Sequence, residues 1–244
     1  MTGGLALVIA SACVFNNFID RDIDKLMART SQRALVRGAI TGRSALSFGT
    51  FLGLAGAGLL IYFTNWLTTV IALGGWVAYV VAYGYWKRRS SYGTVVGSLS
   101  GAVPPVVGYC AVTGRLDAAA LILFLILVMW QMPHFYAIAI FRLQDYQAAK
   151  IPVLPAVLGI DATKITMLAY IVGFILAASL LTWLGYAGYS YLVIIIALGL
   201  GWFWLGASGL KTIADIRWAK RMFACSLIVL LGFSLTISLE TWLP

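Results

Sequence analysis

The chain has 244 residues, of which 62% are hydrophobic, 14% aromatic and only 10% charged, and it carries a net charge of +9. In a soluble domain about a quarter of the residues are charged, so this composition excludes that class and points to a polytopic helical membrane protein. Cys13, Cys110 and Cys225 lie in apolar stretches without paired spacing, which points to small buried hydrophobes and to neither a disulfide framework nor a zinc site.

A bilayer needs about 20 consecutive apolar residues per helix. Eight stretches near that length are predicted to span: Gly3–Ile19, Ser44–Phe63, Trp66–Trp86, Thr94–Val112, Ala119–Phe141, Ile165–Leu184, Tyr189–Ser208 and Met222–Leu239. Neither a linker nor a repeat divides them, so the expectation is one all-α transmembrane domain over residues 1–244. The basic residues fall in alternate loops, at 21–43, 87–89, 142–164 and 211–221, with only Arg115 on the other side. By the positive-inside rule those four loops are cytoplasmic, and an orientation signal accounts for the charge without any nucleic acid. With the first span ending inside and no basic signal peptide before it, an upstream helix is expected in a longer, nine-span parent.

The first span runs into Asn16-Asn17-Phe18-Ile19-Asp20-Arg21-Asp22-Ile23-Asp24, which holds three of the chain's eight acidic residues in five positions. Steps of four stack Asn16, Asp20 and Asp24 on one helical face. Acids at a bilayer edge are costly unless a positive charge sits among them, and hard oxygen donors suit Mg2+. The ladder therefore reads as a magnesium site for a phosphorylated substrate. It also reads as a solvated helix end, with Arg21, Lys25 and Arg29 as surface partners. Arg29 and Arg33 follow in a loop that fits either diphosphate oxygens or a purely topogenic role.

On the third span Tyr79, Tyr83 and Lys87 are spaced by four, followed by Arg88 and Arg89. Aromatic rungs leading to a cationic end can hold an apolar tail and its diphosphate; an interfacial tyrosine belt with snorkelling bases has the same pattern. Gly93, Gly97 and Gly101, before Pro104, Pro105 and Gly108, indicate close helix packing on the fourth span. In the fifth, Gln131, His134, Ile138, Arg142 and Asp145 form one polar stripe if Pro133 leaves the helical phase intact. His134 reads either as a hydrogen-bonded packing residue or as a binder, proton acceptor or iron ligand for a second substrate.

Taken together, the Asn16–Asp24 ladder with Arg29-Thr30 and Arg33, the block from Tyr83 to Arg88, Gly97 to Tyr109, Trp130 to Phe135, and Asp145-Tyr146 through Ile151-Pro152-Val153-Leu154-Pro155 resemble the UbiA superfamily of intramembrane prenyltransferases. Trp130-Gln131-Met132-Pro133-His134-Phe135 is similar to its heme-farnesylating branch. The resemblance implies a nine-helix bundle around a membrane cavity in a bacterial inner membrane, with the active site toward the cytoplasm. It implies conversion of heme b, farnesyl diphosphate and water to heme o and diphosphate with Mg2+ as cofactor. A heme-copper oxidase assembly or a heme A synthase would be the partner.

In that frame Asn16, Asp20 and Asp24 would hold Mg2+, and Arg29, Arg33, Lys87 and Arg88 would neutralise the diphosphate. Tyr83, Arg142 and Asp145 would line the substrate site, and Gln131 and His134 would position heme. Three features depart from the pattern. Arg142 and Asp145 stand where the superfamily usually has two acids, Ala34 where the branch usually has proline, and Lys150 where it often has glycine. A UbiA-type enzyme acting on a quinone-like aromatic, or a non-enzymatic heme or small-molecule carrier, are the other readings of the same cavity.

Overall fold

A computed structural model of the protein describes residues 1–239. Among the described residues, eight helices are long and apolar enough to cross a membrane: α1 (Thr2–Ile19), α2 (Gly42–Phe63), α3 (Trp66–Trp86), α4 (Gly93–Thr113), α5 (Ala118–Phe141), α8 (Ile160–Trp183), α9 (Tyr189–Ser208, continued by a 3-10 turn to Lys211) and α10 (Asp215–Ser238). Two short helices, α6 (Leu143–Ala148) and α7 (Leu154–Val157), lie in the connection after α5. All eight predicted spans are present. The helices α8 and α10 begin five and seven residues earlier than hydropathy indicates, because the polar residues at their starts are paired with one another rather than left in a loop.

The chain forms two compact units, residues 1–120 with 144–153, and residues 121–143 with 154–244. In the first, α1 and α2 pack with their backbones in contact: a Cβ on Gly56 would lie 2.7 Å from the Gly4 carbonyl oxygen and 2.8 Å from the Val8 nitrogen. Val8, Leu60, Ala72 and Val107 form a buried core there, and the Trp76 indole donates to Ser11 Oγ at 3.0 Å. Asn65 caps α3 by accepting from the Thr68 amide at 2.8 Å, while its own amide donates to the Cys110 carbonyl at 3.0 Å, tying the start of α3 to α4. The fourth span is interrupted at Ala102, where Pro104 and Pro105 sit in the first turn of a new helical segment whose unpaired amides they do not need.

α3 changes to π-helical winding over Ala78–Tyr83. The wider turn of i→i+5 bonding brings side chains four apart nearly over one another, and the Tyr79 and Tyr83 rings stack at 5.4 Å with 20° between planes.

At the start of α4, a Cβ on Gly93 would lie 2.6 Å from Lys87 Cα and 2.9 Å from Lys87 N, both backbone atoms, and one on Gly97 would press on the Tyr83 ring at 3.0 Å. The glycine spacing thus serves close packing at Gly93 and Gly97. Gly93→Ala is expected to push the Lys87 backbone outward, costing about 1–3 kcal/mol. A lowered thermal midpoint in detergent checks it.

The departure at Lys150 has a local explanation. α6 ends in a paired cap, with the Ile151 amide donating to the Tyr146 carbonyl at 2.9 Å and the Lys150 amide to the Gln147 carbonyl at 3.0 Å. That closure holds Lys150 at φ +53°, among the described residues the one non-glycine with positive φ. Glycine takes this conformation without strain. Lys150→Gly is therefore expected to raise stability by about 1 kcal/mol, read as a higher thermal midpoint.

In the second unit, α5 passes through Pro133 without interruption and ends at Phe141. The polar stripe therefore continues to Arg142, whose amide bonds the Ile138 carbonyl at 2.9 Å, but Asp145 belongs to a new helix. α8, α9 and α10 bury Phe174 and Trp202 edge to face at 5.9 Å. Lys164 is 2% exposed; its ammonium lies 2.7 Å from Asp215 and 3.2 Å from Asp161, and 5.8 Å from the Trp218 ring. This charged knot joins the starts of α8 and α10. Large exposed apolar side chains, among them Leu54, Val112 and Trp204, face outward from the helices, as a lipid solvent requires.

Candidate active site

The end of α1 places the acidic ladder. Regular helix stops at Ile19, yet the Asp20 amide bonds the Asn16 carbonyl at 2.9 Å and the Asp24 amide bonds the Asp20 carbonyl at 2.8 Å, so helical phase carries through the turn to the 3-10 segment Asp24–Leu26. Asn16, Asp20 and Asp24 are all buried, at 8%, 6% and 2% exposure. Asp22, on the opposite side, is exposed. The stacking expected of an unbroken helix is kept, but only Asn16 lies within the α-helix itself.

The charges that compensate Asp20 come from distant sequence, and that for Asp24 from the loop nine residues on. The Lys87 ammonium donates to Asn16 Oδ1 at 2.8 Å and pairs with Asp20 Oδ2, and it lies 5.0 Å from the Tyr83 ring centroid. Arg88 reaches Asp20 Oδ1 at 3.3 Å, donates to the Ile19 carbonyl at 2.6 Å, and grips both oxygens of Asp22 at 2.8 Å. Arg33 donates to Asp24 Oδ2 at 2.6 Å, while the buried Thr30 hydroxyl donates to the Asp24 carbonyl at 3.0 Å and folds the loop back on the ladder. Arg21, by contrast, donates to the Phe18 carbonyl and covers the Phe18 ring, and Lys25 and Arg29 are exposed. The buried acids thus pair with Lys87, Arg88 and Arg33 rather than being solvated by neighbouring surface bases.

Electrostatics follow from this geometry. The Arg88 guanidinium hydrogen-bonded to Asp22 holds that carboxyl down to about 2. Burial lowers Lys87 below the ordinary lysine value, against the opposing pull of Asp20. A desolvated ammonium held by an amide and a carboxylate is a strong donor for an incoming anion.

Two carboxylates and one carboxamide are the oxygen donors of the ladder, and among the described residues no cluster of three or more His, Cys, Asp or Glu side chains forms a metal cage. That donor set fits Mg2+, which takes one or two protein carboxylates and fills its octahedron with water and phosphate oxygens. A cleft of about 560 Å³ lined by Arg21, Asp22, Lys25, Leu35 and Gly42 opens on the side of the exposed Asp22 and contains none of the buried acids. The buried acids and Lys87 lie outside this cleft.

In the second unit His134 is half-buried between aromatic faces. Trp130 stacks on it at 5.0 Å and 24°, Phe223 lies at 4.7 Å and 33°, and Phe135 meets it edge-on at 5.7 Å. Its Nδ1 is 2.8 Å from Ser226 Oγ, and the Trp130 indole donates to the Ser226 carbonyl at 2.8 Å. The buried Gln131 donates to the Leu127 carbonyl at 3.0 Å. Arg142 is exposed near the Phe141 ring, at 5.8 Å. Ser226 has no place in the motifs legible in the sequence, and Thr30 stands there only as part of Arg29-Thr30, without a role of its own. A hydroxyl inside an otherwise apolar last span was the available signal for Ser226.

The chain matches the UbiA prenyltransferase family over residues 1–228, and it belongs to that family. Eight membrane-length helices and this family membership make it a multi-pass membrane prenyltransferase. Among its relatives, the Protoheme IX farnesyltransferase of Protochlamydia amoebophila (strain UWE25) is 53% identical over 97% of this chain and 84% of that protein. The Protoheme IX farnesyltransferase of Photorhabdus laumondii subsp. laumondii is 50% identical over 99% and 82%. Among solved structures, one of digeranylgeranylglyceryl phosphate synthase has a TM-score of 0.78 at 19% identity, covering 96% of this chain and 81% of that one. A UbiA homolog from Archaeoglobus fulgidus bound to DMAPP and Mg2+ has a TM-score of 0.68 at 15% identity, covering 98% and 88%. These two likenesses concern the fold.

Proposed function

We propose that this chain transfers the farnesyl group of farnesyl diphosphate to a vinyl group of heme b with addition of water, giving heme o and diphosphate. The observation that carries the reading is half-identity over nearly the whole chain to proteins named Protoheme IX farnesyltransferase. The buried ladder beside Lys87, Arg88 and Arg33 supports the diphosphate half of the reaction.

Asn16, Asp20 and Asp24 would hold Mg2+, which supplies charge neutralisation of the leaving diphosphate when bound. Lys87, Arg88, Arg33 and Arg29 bind the remaining phosphate oxygens and stabilise the negative charge that grows as the carbon–oxygen bond of the farnesyl group breaks. The stacked rings of Tyr79 and Tyr83, next to Lys87, offer aromatic faces to the allylic cation and the first isoprene units. The vinyl π pair of heme forms the new carbon–carbon bond, leaving the positive charge on the carbon beside the porphyrin. Water adds there and loses one proton. His134, aided by Gln131, positions heme and is the candidate acceptor of that proton.

We also read residues 1–244 as one prenyltransferase domain in a bacterial inner membrane, with the four basic loops cytoplasmic; supporting this is the confinement of all basic residues but Arg115 to those loops and the helix ends that flank them. Membranes carrying the chain, supplied with heme b, farnesyl diphosphate and Mg2+, should yield a porphyrin heavier by one farnesyl group and one water. A farnesylated quinone with unchanged heme would overturn the acceptor assignment.

A further inference from the structure

His134 and Ser226 share one hydrogen bond whose direction can be deduced. The Ser226 hydroxyl has a single proton, and its oxygen lies 2.6 Å from the Phe223 carbonyl oxygen, which can only accept. That proton is committed to Phe223. The contact of 2.8 Å between Ser226 Oγ and His134 Nδ1 is then satisfied in one way only, with Nδ1–H donating to the serine oxygen. The ring is also fixed in orientation. Trp130, itself anchored by its indole bond to the Ser226 carbonyl, and Phe223 lie against its faces. Neutral imidazole carries one N–H, so the lone pair falls on Nε2.

We propose that Ser226 is a positioning residue for the reaction: it holds His134 in the Nδ1–H tautomer and thereby presents the basic Nε2 to the porphyrin substrate. This rests on the proposed role of His134 in heme farnesylation. Without the serine oxygen, Nδ1–H would lose the acceptor that fixes it, and the histidine would return toward the Nε2–H form that a free side chain favours. Its lone pair would then sit on Nδ1, in the ring plane and directed toward position 226 of α10 instead of at substrate.

The chain has a single histidine, so 15N labelling of that residue type reports on His134 alone. Two-bond 15N–1H correlation of the full chain in detergent at pH 8, above the ordinary histidine pKa of about 6.5, reads the tautomer directly. The wild type is expected to show Nδ1–H, Ser226→Ala to shift to mainly Nε2–H, and Ser226→Thr to restore Nδ1–H. Ser226→Ala should also lower heme affinity or turnover by about 10- to 100-fold, the usual effect of removing such an outer partner. The KM for farnesyl diphosphate should stay unchanged. A wild-type spectrum showing Nε2–H, which needs no variant to fold, overturns the proposal, and so does Ser226→Ala that keeps Nδ1–H or full turnover. If His134→Ala binds heme and turns over normally, the role of His134 itself fails, whichever tautomer the spectrum shows.

Discussion

Asp20→Asn is expected to reduce farnesyl transfer by about 10²–10³-fold, the scale on which single charge-stabilising groups act in transition states. Asp20 is the central rung of the ladder: one oxygen pairs with Lys87 and the other faces Arg88, while its backbone carbonyl receives the amide of Asp24. Asparagine keeps the size and one acceptor oxygen but removes the negative charge. Lys87 then loses its main counter-charge at 7% exposure, and the ladder retains a single buried carboxylate, at Asp24. Product formation should fall at saturating heme and farnesyl diphosphate, and excess Mg2+ should recover little of it. Full Mg2+-dependent activity in the variant would refute the metal and diphosphate assignment. Because the substitution is isosteric, the protein should still fold, which a retained helical circular dichroism spectrum checks.

Lys164→Met is expected to destabilise the second unit by about 3 kcal/mol, since removing one partner of a buried pair leaves the other uncompensated. For a chain of this size that corresponds to a thermal midpoint lower by about 6–12 °C. The lysine head is enclosed by Asp215, Asp161 and the Trp218 ring, and Trp218 is itself anchored by its indole bond to the Leu205 carbonyl at 2.9 Å. Asp161 is largely exposed and can turn to water, whereas the Asp215 side chain is only 27% exposed and cannot do so fully. The double variant Lys164→Met, Asp215→Leu should recover most of the loss, because an apolar pair carries no desolvation cost. A single variant as stable as the wild type would show that the pair contributes nothing net.

Hydropathy is enough to find eight spans because the bilayer forces backbone hydrogen bonds to close within each helix, so every crossing must be a long apolar run. It misplaces the starts of α8 and α10 for the same reason: Asp161, Lys164 and Asp215 look like loop until their pairing is known. The ladder is equally legible, since spacing by four survives whether the backbone is α-helical or continued by i→i−4 bonds through a turn. The partner of each acid is not. Arg21 and Lys25 are adjacent in sequence, but their Cβ directions take them to the surface, while Lys87 and Arg88 approach across more than sixty residues.

Composition and spacing by themselves determined that this chain crosses a membrane repeatedly, with an oxygen-rich ladder at the end of its first helix and an aromatic-flanked histidine in its fifth. These are properties of periodicity and of solvent, and they are local. Only tertiary structure decided that the acids are buried, that Lys87 and not a neighbouring base sits among them, and that the close approach at Gly93 sets where that lysine lies. It likewise decided that Ser226 faces His134: the serine proton goes to a carbonyl three residues back in its own helix, but the meeting of the two side chains across 92 residues is set by packing.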